Sequence, residues 1–167
     1  MTHSMFESLK KYNKILVTGP QRSGTRIAAK MIAADTGYTY LDEEEFNVSN
    51  RDKLRKIFKR GDIVVQCPAI SAWIQDFSAN DTLIIFMMRD IDDILASQKR
   101  IGWGDKTELS KYGKKRGVIS KIKYDVWEKE QKPKVENWLE VEYESLSGHP
   151  LWIAKNKRIN FKYNQTK

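Results

Sequence analysis

The sequence predicts an α/β domain of three layers, α/β/α, built on a central parallel sheet of about five strands. Three observations carry that prediction. Short apolar runs alternate with helical stretches along most of the chain. The most apolar run, Thr82 to Met88, is continuous rather than alternating, as in a central parallel strand covered on both faces. A glycine-bearing loop, Gly19 to Gly24, stands between the run Ile15-Leu16-Val17 and a helical stretch.

Taken in order, Lys14 to Thr18 reads as the first strand. Thr25 to Thr36 reads as a helix with apolar Ile27, Ala28, Met31 and Ile32, and Gly37 as its stop. Tyr38 to Leu41 is a short second strand that closes on the acidic run Asp42-Glu43-Glu44-Glu45. Asn50 caps a helix from Arg51 to Lys59, which Gly61 ends. Asp62 to Gln66 is a third strand, broken by Pro68. After the central strand, Asp92 or Asp93 opens a helix that runs to about Arg100. The segment 102–117 is rich in glycine and lysine and reads as a mobile loop or lid. Tyr124 to Gln131 is helical, Pro133 stops it, and Trp138 to Tyr143 alternates like a last strand. The tail 154–167 is polar and basic, with no clear element. Strands alternating with helices place ligands at the C-terminal ends of the strands.

The length of 167 residues suits a single domain, 1–167, with a core of its own. Charged residues are 31% and hydrophobic ones 40%, an ordinary balance for a globular chain. The net charge of +8 points to an anionic partner without separating nucleotide, nucleic acid, sulfated sugar or membrane surface. Cys67 is the single cysteine, so no intrachain disulfide forms, and a buried strand position is its expected place. No apolar run approaches the ~20 residues of a membrane span. Met1 to Lys14 shows no signal-peptide core, so a cytoplasmic protein is expected.

The loop Gly19-Pro20-Gln21-Arg22-Ser23-Gly24-Thr25-Arg26 carries the chemistry. Strand, glycine loop and helix in that order aim backbone N–H groups and a helix dipole at one point, a cradle for phosphate. The Gly19-to-Gly24 frame matches a Walker A loop, G-x-x-x-x-G-K-[ST], and makes the domain P-loop-like. The lysine is missing: Thr25 and Arg26 stand in its place, and the cation inside the loop is Arg22. That difference argues for an anionic nucleotide other than ordinary Mg-ATP or Mg-GTP. Ser23 and Thr25 are expected to offer hydroxyls to the phosphate.

A second cluster follows the central strand: Arg89 at its end and Ser97 eight residues on, in the next helix. An arginine fork plus a hydroxyl suits a monophosphate, in a site distinct from the loop. Alternatively Arg89 only pairs with Asp92 or Asp93. Two anion sites at neighbouring strand ends suggest a nucleotide phosphorylated at both ends.

These residues resemble a known family. Pro20-Gln21-Arg22-Ser23-Gly24-Thr25 is similar to the 5′-phosphosulfate loop of sulfotransferases that use PAPS, 3′-phosphoadenosine 5′-phosphosulfate. Phe86-Met87-Met88-Arg89 through Ser97 resembles their 3′-phosphate motif, and Leu139 through Leu146 their late strand with a Tyr-Glu-x-Leu element. The resemblance spans roughly Lys14 to Pro150 with the motifs in order. It implies sulfuryl transfer from PAPS to an acceptor hydroxyl or amine without a metal, leaving the bisphosphate PAP. Arg22 would then sit against the sulfuryl group, and Gln21 to Arg26 would hold the 5′ phosphate. Arg89 and Ser97 would grip the 3′ phosphate, with Lys155, Lys157 and Arg158 of the tail reaching back to it, although the family's Arg-Lys-Gly signature is missing.

Many relatives place a general-base histidine at the end of the third strand, where this chain has Gln66. His3 and His149 lie near the two ends and are expected to face solvent. Other relatives use a glutamate after the second strand, which makes Glu43 or Glu44 the candidate base; a solvated acidic turn is the plain alternative. The basic stretch Lys99 to Lys123 is either a solvated surface or a segment that closes over the nucleotide or receives an anionic acceptor. Trp103 is the tryptophan expected to touch a substrate, and Tyr143-Glu144 is expected to be structural. The acceptor is a glycan, peptide or small metabolite, and a homodimer is one way to complete the site. Two other readings stand beside this one: a P-loop small-molecule kinase, and a non-catalytic binder of 3′,5′-bisphosphorylated nucleotide. Neither membrane nor nucleic acid is an expected partner.

Overall fold

A computed structural model describes residues 5–43, 51–101 and 116–152. Five parallel strands form one sheet: β1 (Lys14–Thr18), β2 (Thr39–Asp42), β3 (Ile63–Gln66), β4 (Thr82–Met88) and β5 (Trp138–Glu142). Their order across the sheet is β2-β3-β1-β4-β5. The helices are α1 (Thr25–Thr36), α2 (Arg51–Phe58), α3 (Ile91–Arg100) and α4 (Arg116–Val126).

Alternation along each strand divides the core into two. Ile15, Val17, Val64, Ile85 and Met87 face α1, where Ala28, Ala29, Met31 and Ile32 meet them. Leu16, Ile63, Val65, Ile84 and Phe86 face the other way, against Leu54, Ile57 and Phe58 of α2 and Trp127 beyond α4. The sheet is therefore the middle of three layers, as the sequence predicts. Among the described residues no helix is long and apolar enough to cross a membrane.

The strand order matters for the site. β1 lies centrally between β3 and β4, so the chain winds outward in both directions from the strand that carries the glycine loop. At such a switch point a crevice opens at the C-terminal edge of the sheet.

Several boundaries differ from expectation. Asp90, rather than Asp92 or Asp93, caps α3: its Oδ1 accepts from the backbone N–H of Asp92 at 2.9 Å and of Asp93 at 3.3 Å. This is an N-cap carboxylate on two orphan donors. Helix α4 starts at Arg116, well before Tyr124, and Trp127–Gln131 continues it as a wider turn. The lysines of α4 obscure its apolar side in the sequence, where Ser120, Tyr124 and Trp127 point inward. Phe86 and Trp127 stack at 4.5 Å between ring centroids with planes 7° apart, holding this segment to β4. Such a contact contributes about 0.5–1.5 kcal/mol beyond burial.

His149 does not face solvent. It is 6% exposed, and its Nε2 lies 3.0 Å from Asp35 Oδ1. The other Asp35 oxygen accepts from the Phe6 backbone N–H at 3.0 Å. The short helical turn Tyr143–Gly148 brings the chain back beneath α1, a long-range placement that position near a terminus does not disclose. Of the expected loop 102–117, residues 116 and 117 belong to α4 instead, while residues 102–115, with Trp103 among them, lie outside the described residues, as do His3 and the tail from 153 onward.

Candidate functional site

The loop after β1 is held open by its backbone conformation. Gly19 and Gly24 have φ of 145° and 101°, and Arg22 sits at φ 68° without being a glycine. A β-carbon on Gly24 would lie 2.6 Å from the Tyr143 ring, so the position admits no side chain for steric reasons as well. Arg22 has no such relief. A left-handed arginine costs on the order of 1 kcal/mol, a strain seen at ligand-binding sites.

Inside the loop, Pro20 O accepts from both the N–H and the hydroxyl of Ser23, at 3.1 and 2.7 Å. The Thr25 hydroxyl donates to Gln66 Oε1 at 2.6 Å. Both hydroxyls expected to serve the phosphate are thus engaged within the protein. An anion placed at this loop would meet backbone N–H groups and guanidinium groups instead. The residue standing where a histidine base was sought, Gln66, instead fixes the first residue of α1.

The residues of the second expected anion site touch those of the first. Arg22 Nε donates to Ser97 Oγ at 3.1 Å, and Arg89 Nη1 donates to the Arg22 carbonyl at 2.8 Å. The Arg89 guanidinium lies 3.9 Å above the centre of the Tyr143 ring and is 9% exposed. Its Nε has no hydrogen-bond partner among the described residues. Burial pushes the Arg89 pKa down, with the carboxylates of Asp93 and Glu144 opposing from a distance. Arginine keeps its charge regardless. β1 and β4, adjacent and in register, bring Arg22 and Arg89 together, while the first turns of α3 deliver Ser97. Gln98 Nε2 also reaches the Gln21 carbonyl, at 3.5 Å.

Across the loop the charges are arranged differently. Arg26 Nε donates to Asp42 Oδ2 at 2.9 Å, and Nη2 reaches Oδ1 at 3.4 Å. Tyr40 donates its hydroxyl to the same Asp42 Oδ2 at 2.5 Å. Burial first and this carboxylate second push the Tyr40 pKa far up, so the phenol stays protonated. Asp42, for which a solvated acidic turn was the plain alternative, is buried at the end of β2.

Glu43, the next residue, points to the opposite face of the sheet. Its Oε2 lies 3.8 Å from Cys67 Sγ. Burial, with the Glu43 charge adding to it, pushes the Cys67 thiol up to about 12. Cys67 is therefore an inert thiol, buried as the sequence suggests, just past the end of β3. Glu44, Lys155, Lys157 and Arg158 lie outside the described residues.

Sequence reasoning passed over the Arg26 pairing of Asp42 and, while it expected Tyr143 to be structural, did not show which residues Tyr143 packs against. The strand alternation Tyr40, Asp42 carried a signal for the first, since it puts Asp42 on the α1 face with Arg26. Nothing local announces the second, because Tyr143 meets Gly24 and Arg89 only through the tertiary fold.

Comparison with known proteins matches the fold alone. No protein-family model matches the chain, and no curated protein does. Among solved structures it is similar to a shikimate kinase from Acinetobacter baumannii in complex with shikimate. The TM-score is 0.59 at 12% identity, over 96% of this chain and 99% of that one. Two weaker likenesses are a shikimate kinase from Bacteroides thetaiotaomicron and an uncharacterized protein from Eubacterium ventriosum. Both have a TM-score of 0.47 over 92% of this chain, at 13% and 14% identity, covering 95% and 99% of theirs. The architecture is that of a P-loop-like α/β domain.

Proposed function

We propose that this chain is a P-loop-type group transferase in which arginine takes over the work of the missing Walker lysine. Its donor is an anionic nucleotide whose phosphates lie against the backbone N–H groups of the loop. One observation supports this above all: Arg22, Arg89 and Ser97 converge on the glycine loop at the switch point of the sheet. In-line attack by an acceptor oxygen forms the new bond as the bond to the leaving phosphate oxygen breaks. Negative charge grows on that oxygen and spreads over the group in flight. A guanidinium there lowers the barrier by electrostatics, and removing one such donor typically costs ~10²–10³ in rate. Glu43, at the end of β2, is the base we assign to the acceptor's proton.

Two donors fit this scheme, each with its own support. The whole-chain likeness to shikimate kinase favours phosphoryl transfer to a small hydroxylated acceptor, and on comparisons alone this kinase reading stands ahead of the sulfuryl one. The residues favour PAPS: Thr25 occupies the lysine position with its hydroxyl on Gln66, and the resemblance to sulfotransferases falls on Arg22, Arg89 and Ser97. Calorimetric titration with adenosine 3′,5′-bisphosphate and, separately, ATP with magnesium separates them. Preference for the bisphosphate selects sulfuryl transfer, and preference for ATP selects the kinase. Silence with both rejects the transferase.

A further inference from the structure

Arg89 is held from both faces of the sheet. The ladder of β4 with β5 ends at the pair Met88 and Glu142, so the Arg89 main chain lies one residue beyond its last strand partner. A peptide group there has to find its hydrogen bonds elsewhere. Tyr124 of α4 supplies them. Its hydroxyl accepts from the Arg89 backbone N–H at 2.9 Å and lies 3.2 Å from the carbonyls of Met87 and Arg89, within reach of its own proton. Burial above all pushes the Tyr124 phenol up to about 12, so at neutral pH it both donates and accepts. Its ring meets Phe86 edge-on at 5.9 Å, which fixes the approach of the hydroxyl from the α4 side. The arginine side chain leaves in the other direction. Alternation along β4 puts Phe86 and Met88 on the α4 face and Met87 on the α1 face, and Arg89 follows Met87. There its guanidinium rests on the Tyr143 ring at 3.9 Å and donates to the Arg22 carbonyl at 2.8 Å. Different layers thus fix the main chain and the side chain of one arginine.

We propose that Tyr124 is a positioning residue for the anion site of the glycine loop: its hydroxyl fixes the main chain from which the Arg89 guanidinium is aimed. The proposal rests on the reading of Arg22 and Arg89 as that anion site and deepens it. Charge-assisted hydrogen bonds weaken steeply as distance and angle depart from the optimum. An arginine whose main chain is already fixed loses less freedom on meeting an anion than one that must first be ordered. Tyr124 acts through Arg89 and need not touch the anion itself.

Tyr124→Phe removes the hydroxyl and keeps the ring on Phe86, and it is tested in the full chain. Calorimetric titration with pyrophosphate should show binding about fivefold weaker than to the native protein, the usual weight of one hydrogen bond. In the Arg89→Ala background, adding Tyr124→Phe should change the affinity by less than about twofold, because no guanidinium is left to aim. Phe58→Leu serves as the destabilised control: it lies in the core before the start of β3, at the opposite edge of the sheet, and should leave pyrophosphate affinity native. A second readout needs no ligand. The Arg89 Nε–H is buried without a partner among the described residues. In arginine-labelled protein followed by NMR, Tyr124→Phe should speed its exchange with water roughly threefold or more. Unchanged pyrophosphate affinity in Tyr124→Phe, the same fold loss in the Arg89→Ala background, an equal loss in Phe58→Leu, or an unchanged Arg89 exchange rate overturns the proposal. No pyrophosphate binding to the native protein removes the anion site and this role with it, whereas binding that Tyr124→Phe leaves intact removes the role of Tyr124 alone.

Discussion

The two sides of the glycine loop use arginine in opposite ways. Towards β2, Arg26 is closed into a two-point ion pair with Asp42, whose second neighbour is the Tyr40 hydroxyl. Towards β4, the described bonds of Arg22 and Arg89 run to a hydroxyl and a carbonyl, and Arg89 also lies on the Tyr143 ring. A carboxylate partner cancels a charge, whereas a carbonyl or an aromatic face orients a guanidinium and leaves its field intact. The first arrangement builds structure. The second, in the bonds described, orients two guanidinium groups near the N-terminus of α1, where a bound anion would gain from the dipole.

Substitutions can break that contrast. The largest effect is expected for Arg22→Ala, which should lower donor turnover by ~10²–10³-fold while largely sparing the binding of adenosine 3′,5′-bisphosphate. Donor consumption in single-turnover assays measures it, and near-full turnover would remove Arg22 from the chemistry. Gly24→Ala comes next, because its β-carbon meets the Tyr143 ring at 2.6 Å in a left-handed backbone. A loss of about 2–3 kcal/mol in denaturant unfolding is expected. Tyr143→Leu in the same chain should recover the steric part only.

Arg89→Ala should weaken nucleotide binding by roughly tenfold or more, the usual weight of one charge-assisted contact. If the nucleotide is a bisphosphate, the loss should exceed that for adenosine 5′-phosphate; equal losses would take Arg89 off the second phosphate. Asp42→Asn is the mildest. The Arg26 side chain is 38% exposed and screened by solvent, so a stability loss of about 1 kcal/mol or less is expected, with nucleotide affinity barely changed. A large drop in affinity would show that Asp42 belongs to the binding machinery.

Much of this contrast is written in the chain, though unevenly. Hydrophobic runs and the Gly19–Gly24 frame place β1, β4 and α1 within the residues the structure gives them, because local pattern and burial agree there. The Arg89-to-Ser97 spacing draws attention to two residues that both bond to Arg22, but that meeting depends on β1 and β4 being neighbours. Tyr124 reads only as an aromatic residue beside a basic stretch, since nothing nearby in sequence shows that it anchors its helix to the end of β4. The partners of the Ser23 and Thr25 hydroxyls are hidden from the sequence for a related reason. Each donates to a partner inside the fold, Pro20 O for one and Gln66 for the other. His149 shows the same limit, because its partner Asp35 is 114 residues away.

The central claim is that Arg22 and Arg89 make the anion site of this loop. Titrating pyrophosphate into the native chain and into the Arg22→Ala, Arg89→Ala double variant tests it without knowledge of the donor. The account predicts saturable binding to the native protein, and at least tenfold weaker binding to a double variant whose circular dichroism is unchanged. Equal affinity in the two proteins, or no binding to the native one, would contradict it.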